Sequence, residues 1–174
     1  MGIRITDNNN IPQALARIDE INSRKAKVGY ITGDDYAGGQ LTNKGKARVH
    51  EYGVDIPVTD KMRKFFVAKF GIGLKASTTH IRIPERSFLR TGSRQAEPKI
   101  INKAKQFVPM AIAGNVDVEL LYEALGLEMR TEVQKYARAL QSPPNAPLTI
   151  EQKGSSNPLI DSGAMLQAME VIIE

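Results

Sequence analysis

The chain has 174 residues and a mass of 19.2 kDa, carries 24 Lys and Arg against 19 Asp and Glu, and contains no cysteine. A chain of this length makes one domain able to bury roughly 70% of its unfolded surface. The lack of cysteine excludes a disulfide framework, a thiolate metal site and sulfur redox chemistry. No window approaches the ~18 apolar residues of a membrane span. The opening MGIRITDNNNIPQ lacks the apolar stretch of a secretory leader, and Met1-Gly2 with Thr6 fits the myristoylation spacing only as chance allows. Charge is uneven: residues 1–95 hold 17 Lys and Arg against 9 Asp and Glu, whereas residues 96–174 hold 7 against 10. A basic half and a mildly acidic half suit a nucleic-acid contact, head-to-tail packing of identical subunits, or an ordinary basic surface.

In chain order, Asn10 and Pro12 open a first helix, with Ile11, Leu15, Ile18 and Ile21 at helical spacing to about Ser23. Residues 26–31 (AKVGYI) read as a buried strand, and the polar, Gly-rich residues 34–40 as a mobile loop. Thr42 is positioned to cap a short helix ending at Gly53, with a strand at 47–52 as its competitor. Thr59 caps a second helix, residues 60–70, with Asp60 in its first turn and Gly71 after it. Met62, Phe65, Phe66 and Phe70 form the apolar positions of that helix, among Lys61, Arg63, Lys64 and Lys69. An alternating strand follows at residues 80–83.

Pro98 marks the first turn of another helix, which Pro109 should kink or break. Residues 117–140 form a long amphipathic helix, with Val118, Leu121, Leu125, Met129, Val133, Tyr136 and Leu140 recurring every three or four residues. The Pro-rich run at 142–147 reads as a stiff connector, followed by a short helix at 161–169 and a terminal strand at 171–173. No internal repeat is apparent.

Catalytic constellations are thin. His50-Glu51 begins like H-E-x-x-H, but Val54 stands where the second histidine belongs. His80 has no acidic neighbour in sequence. The loop GDDYAGG carries neither phosphate-binding glycine pattern, and Asp34 and Asp35 would repel a phosphate. Asp34, Asp35 and Asp161 have no spacing that demands a cation. The expectation is therefore no catalytic residue, no cofactor and no metal. The phenylalanine-bearing helix is open to three readings: a subunit or partner contact, the protein's own core, or a membrane-surface helix, the last disfavoured by a length of about three turns.

The segment THIRIPERSFLRTG, residues 79–92, carries the most information. Pro84 fixes its own φ and holds Ile83 extended, so the chain leaves its strand in a set direction. Arg86 and Arg90 then flank Phe88 and Leu89, which reads as a surface arm presenting apolar anchors and cations. IPERSFLR resembles the I-P-x-R-x-F-L-R signature of a tailed-phage virion morphogenesis family, the small neck and tail-completion (tail-terminator-like) proteins. ARVHEYG (residues 47–53) looks like the segment before that family's variable loop, and residues 58–90 resemble a long version of the loop. SPPNAPLTIEQKGSSNPLIDSGAMLQAMEVIIE (residues 142–174) is similar to its ending, where P-L-I-D-(S/T)-G leads into a short helix and strand. Together the matches cover roughly residues 47–92 and 142–174, in the family's order.

The resemblance implies a structural virion protein forming a ring at the head–tail junction or tail end, a hexamer by expectation. Such a ring would complete or terminate the tail, touch neighbouring neck or tail-tube proteins, and surround the DNA path with non-specific lumenal contact. It would reside in the virion neck or tail, and in host cytoplasm during assembly. The expected fold is α+β: one domain over residues 1–174, a small mixed sheet packed against a long helix, short flanking helices, and an extended arm or insertion at about 54–92. Expected subunit or partner contacts are Met62, Phe65, Phe66, Phe70, Pro84, Arg86, Phe88, Leu89 and Arg90. Leu159, Ile160, Asp161 and Gly163 form a structural corner, with Asp161 capping the short helix and Leu159 and Ile160 stapling it. The alternatives are a non-specific nucleic-acid-binding module and a hydrolase with an unrecognised site.

Overall fold

In the computed structural model, residues 9–174 are described; Met1-Gly2 and the myristoylation spacing lie outside them. The first helix, α1 (Ile11–Ser23), starts with Pro12 in its first turn, and its free Ile11 amide donates to Asn9 Oδ1 at 3.1 Å, so Asn9 rather than Asn10 supplies the cap. Strand β1 (Ala26–Gly29) follows. The expected mobile loop is a hairpin, β2 (Tyr36–Ala37) and β3 (Gln40–Leu41). Gly38 and Gly39 both take positive φ (57° and 76°), the geometry a two-residue hairpin turn requires. Thr42 then caps α2 (Asn43–Tyr52) by accepting from the Gly45 amide at 3.2 Å, which settles the helix against the competing strand.

Strand β4 (Val54–Pro57), helix α3 (Asp60–Phe70) and strand β5 (His80–Ile83) form the next unit. Thr59 caps α3 through the Met62 amide, and Gly71 ends it in left-handed geometry (φ 67°). A 26-residue helix, α4 (Phe88–Ala113), is followed by α5 (Val118–Ala139), with Asp117 accepting from the Glu119 amide at 2.8 Å. The chain closes with α6 (Pro147–Lys153), α7 (Ala164–Gln167) and β6 (Glu170–Ile173).

The class is α+β, but the mixed sheet expected from sequence is instead three separate antiparallel ribbons: β1 with β6, β2 with β3, and β4 with β5. β1 and β6 pair from Ala26–Ile173 to Gly29–Glu170 and lie against α5. α4 and α5 form the central antiparallel pair. Gly92 is a point of close approach: a Cβ there would lie 3.2 Å from Val133 Cα and 3.4 Å from Tyr136. Lys99–Glu132 (2.6 Å) and Lys103–Glu128 (2.8 Å) tie the outer edges of the pair.

Two apolar clusters result. The larger joins Ala47, Phe88, Val133, Ala137, Leu159, Met165, Leu166 and Met169, with Val28, Tyr30, Leu89, Met129 and Ile160 packed on it. The smaller joins Ala111, Val118 and Leu121 with Ile21, Phe107 and Leu125. Helix α4 differs from expectation twice. It begins ten residues before Pro98, and neither Pro98 nor Pro109 ends it. Both prolines are exposed, so the carbonyls they leave without an amide partner can be hydrated.

Candidate functional site

Two neighbouring regions carry the residues singled out by sequence: a junction where residues 83–90 meet α2, and the β4–α3–β5 unit that extends from it.

At the junction, the expected arm is folded into the body. Phe88 is fully buried, and its ring meets Tyr30 edge-on with centroids 6.4 Å apart. Leu89 packs on the same cluster, and Arg86 is 4% exposed. The reading of Arg86 and Phe88 as surface anchors is therefore corrected. Phe88 is the first residue of α4, and the amphipathic face of that helix carries it inward. Arg86 donates through Nε to the Pro143 carbonyl (2.8 Å), and through Nη2 to the Pro144 carbonyl (3.0 Å) and Asn145 Oδ1 (3.2 Å). Its planar fork thus holds the proline-rich connector against the body. Pro84 is half-buried just after β5.

Sequence reasoning missed Glu51, which is 2% exposed. Its carboxylate accepts from the Leu89 amide (2.8 Å), the Arg90 amide (3.0 Å), Arg90 Nε (2.8 Å) and Ser87 Oγ (3.3 Å). The N-cap residue of α4, Ser87, makes no side-chain cap of its own, so a carboxylate from α2 satisfies the free amides and faces the positive end of the helix. Arg90 also reaches Glu85 (2.6 Å) and lies 4.9 Å over the Tyr52 ring. The available signal was Glu51 as an acid within an otherwise basic segment (KGKARVHEY).

His50 completes the junction. Its Nδ1 accepts from Arg86 Nη1 at 3.3 Å, which leaves Nε2 protonated. Burial, then the charges of Arg86 and Lys153, push its pKa down to about 4, so the ring is neutral at pH 7. Beside it lies a cavity of about 210 Å³ whose lining includes Lys46, Lys153 and Asp161. In this arrangement His50 serves as an acceptor for a buried guanidinium.

At the expected corner, Leu159 is buried and Ile160 packs on the core, whereas Asp161 is exposed and does not cap. Asn157 Oδ1 takes the Leu159 and Ile160 amides (3.0 and 3.1 Å), and Ser162 Oγ takes the Ala164 amide (3.3 Å). Gly163, at φ 82°, is the N-cap of α7. Position explains the correction: Asp161 is two residues before the N-cap, out of line with the first-turn amides.

The β4–α3–β5 unit is different in kind. Only residues 54–83 of the expected 54–92 insertion project from the body, and the remainder returns into the core. The ribbon pairs from Val54–Ile83 to Pro57–His80 and forms the stalk. α3 lies at its end with no buried residue. Arg63 turns back to the loop behind the helix and donates to the carbonyls of Leu74, Lys75 and Thr78 (3.2, 2.9 and 2.8 Å). Phe65, Phe66 and Phe70 pack edge-to-face, with centroids 5.4–6.2 Å apart. Met62, Phe66 and Phe70 are half-buried in this small cluster, while Phe65 (54%), Val67 (55%) and Ile72 (39%) remain exposed. The unit holds Lys61, Arg63, Lys64, Lys69, Lys75 and Arg82 against Asp55 and Asp60. Of these six cations only Arg82 has an ion-pair partner among the described residues, Asp55 at 3.7 Å; Lys61, Arg63, Lys64, Lys69 and Lys75 have none.

No protein-family model, curated protein or solved structure matches this chain. No helix of the described residues is long and apolar enough to cross a membrane, and they contain no group of three or more His, Cys, Asp or Glu that could hold a metal ion.

Proposed function

We propose that this chain is a structural virion protein of a tailed phage or prophage, a subunit of a ring at the head–tail junction or tail end that surrounds the DNA path. The observation that carries the reading is the β4–α3–β5 projection. A three-turn helix that buries none of its residues in its own chain, with Phe65 and Val67 more than half exposed among unpaired lysines, is a contact surface awaiting a partner. The ordered resemblance of residues 47–92 and 142–174 to the phage morphogenesis family gives that partner its identity as a neighbouring subunit or an adjoining neck or tail-tube protein. The reading extends to a virion location and to non-specific contact of the basic half with DNA in the lumen.

Native mass spectrometry and negative-stain imaging of the purified protein test it. Closed rings with a lumen wide enough for duplex DNA are expected. A monomer at all concentrations, with or without neck and tail-tube partners, contradicts it.

A second reading rests on the same unpaired lysines: a non-specific nucleic-acid-binding module. Under that reading the monomer binds duplex DNA with an affinity that falls steeply with salt, and replacing Lys61 and Lys64 lowers the salt slope by roughly one per lost phosphate contact.

A further inference from the structure

We propose, resting on the ring reading above, that the surface receiving the projection is the glutamate–leucine stripe on the first turns of α5 in the next copy of this chain. Around Phe65 on α3, helical spacing places Lys61 four residues before and Lys69 four after on the same face, with Lys64 on the adjoining face, and all are exposed. This is an aromatic knob bracketed by ammonium groups. The matching surface needs carboxylates around an apolar gap.

α5 supplies one. Leu120 and Leu127 are 52% and 56% exposed, and Glu123, also exposed, lies on the same face between them. Glu119, its side chain 61% exposed, flanks the stripe and has only a long 3.8 Å pairing to Arg24. Residues 117–127 hold three carboxylates and no Lys, Arg or His. The two leucines are about 10 Å apart along the axis at 1.5 Å per residue, so an apolar contact lies on either side of the Glu123 carboxylate.

The other exposed apolar residues fit less well. Ile101 on α4 has Lys105 four residues on, and Ile11 and Leu15 on α1 have Asp19 as their only unpaired carboxylate among the described residues. The acceptor is buried in no cluster of its own chain, and it differs from the donor surface. The contact is therefore heterologous, and repetition of a heterologous contact closes into a ring or extends into a filament.

Charge swaps test this. Lys61→Glu with Lys64→Glu should leave a monomer, and so should Glu119→Lys with Glu123→Lys, because all four side chains are exposed and their replacement leaves the fold intact. All four changes in one chain should restore the assembly. Mixing the two double variants, each monomeric alone, should also restore assembly with the two alternating: the unchanged projection of one meets the unchanged stripe of the other, and the acidic projection meets the basic stripe as in the quadruple variant. If the wild type assembles and the swaps leave assembly unchanged, the stripe is not the acceptor and the ring reading stands. Loss of assembly without rescue in the quadruple variant also overturns the pairing. A wild type that stays monomeric overturns both readings. Lysine changes that abolish duplex DNA binding while assembly persists assign the projection to nucleic acid instead.

Discussion

Glu51 and Phe65 are fourteen residues apart, yet they belong to opposite kinds of structure. Glu51 is an acid in the interior, with amide, guanidinium and hydroxyl donors converging on its carboxylate. Phe65 is an aromatic at the surface, covered only by two other phenylalanines of its own helix. Polarity alone would exchange their places. The junction buries charge because α4 starts inside the molecule and its first amides need an acceptor; the projection exposes rings because its stalk holds them away from the core. The first region makes the fold, and the second is free to make a contact.

The comparison breaks most sharply at Phe88 and Glu51. Phe88→Ala should cost about 3–5 kcal/mol through the cavity it leaves. Glu51→Ala should cost about 1–3 kcal/mol, since the Leu89 and Arg90 amides at the start of α4 lose their acceptor. Denaturant unfolding of the monomer reads both. A loss under about 1 kcal/mol in both would show that the junction is not what holds α2 to α4.

Acid titration gives the next effect. Because the fold lowers the pKa of His50 from its ordinary 6.5 to about 4, the unfolded chain takes up the proton first as pH falls. His50's contribution is fully present above pH 6.5 and is lost between about 6.5 and 4, by up to about 3 kcal/mol at 1.36 kcal/mol per pH unit. His50→Asn should flatten that segment of the stability–pH curve; an unchanged curve would place the titration elsewhere.

At the 157–163 corner, Asn157→Ala should cost about 1–2 kcal/mol by leaving two backbone amides without an acceptor. Asp161→Ala and Asp161→Asn should both change thermal stability by less than about 0.5 kcal/mol. Sensitivity at Asp161 with tolerance at Asn157 would restore the capping role expected from sequence. The smallest effect on stability belongs to Phe65→Ala, under about 0.5 kcal/mol as an exposed substitution, although it should abolish assembly.

Much of the fold was legible where local chemistry decides. Thr42 and Thr59 each precede a helix and cap it, and the stripe from Val118 to Leu140 gives α5 almost to the residue. What was hidden depends on distant partners. Pro98 looks like a start because the turns before it are held by Glu51 from another helix, and Gly92 within those turns is explained by the nearness of Val133. The same dependence misplaced the arm: IPERSFLR reads as exposed because its acceptors, the carbonyls of Pro143 and Pro144 and the Glu51 carboxylate, are far away in sequence. The strand pairings escaped for that reason too, with β1 meeting β6 across nearly the whole chain. The phenylalanines of α3 were legible as the apolar positions of a capped helix because their surroundings are local, and the structure leaves Phe65 exposed among them.

The division between an interior junction and an outward projection is tested most directly by native mass spectrometry of the wild type and Phe65→Ala at matched concentration, with thermal melts of both. A ring for the wild type, a monomer for Phe65→Ala, and monomer unfolding free energies within about 0.5 kcal/mol of each other support the account. A Phe65→Ala protein that assembles like the wild type but melts several degrees lower would contradict it, because the phenylalanine would then serve the fold and the projection would have no partner to meet.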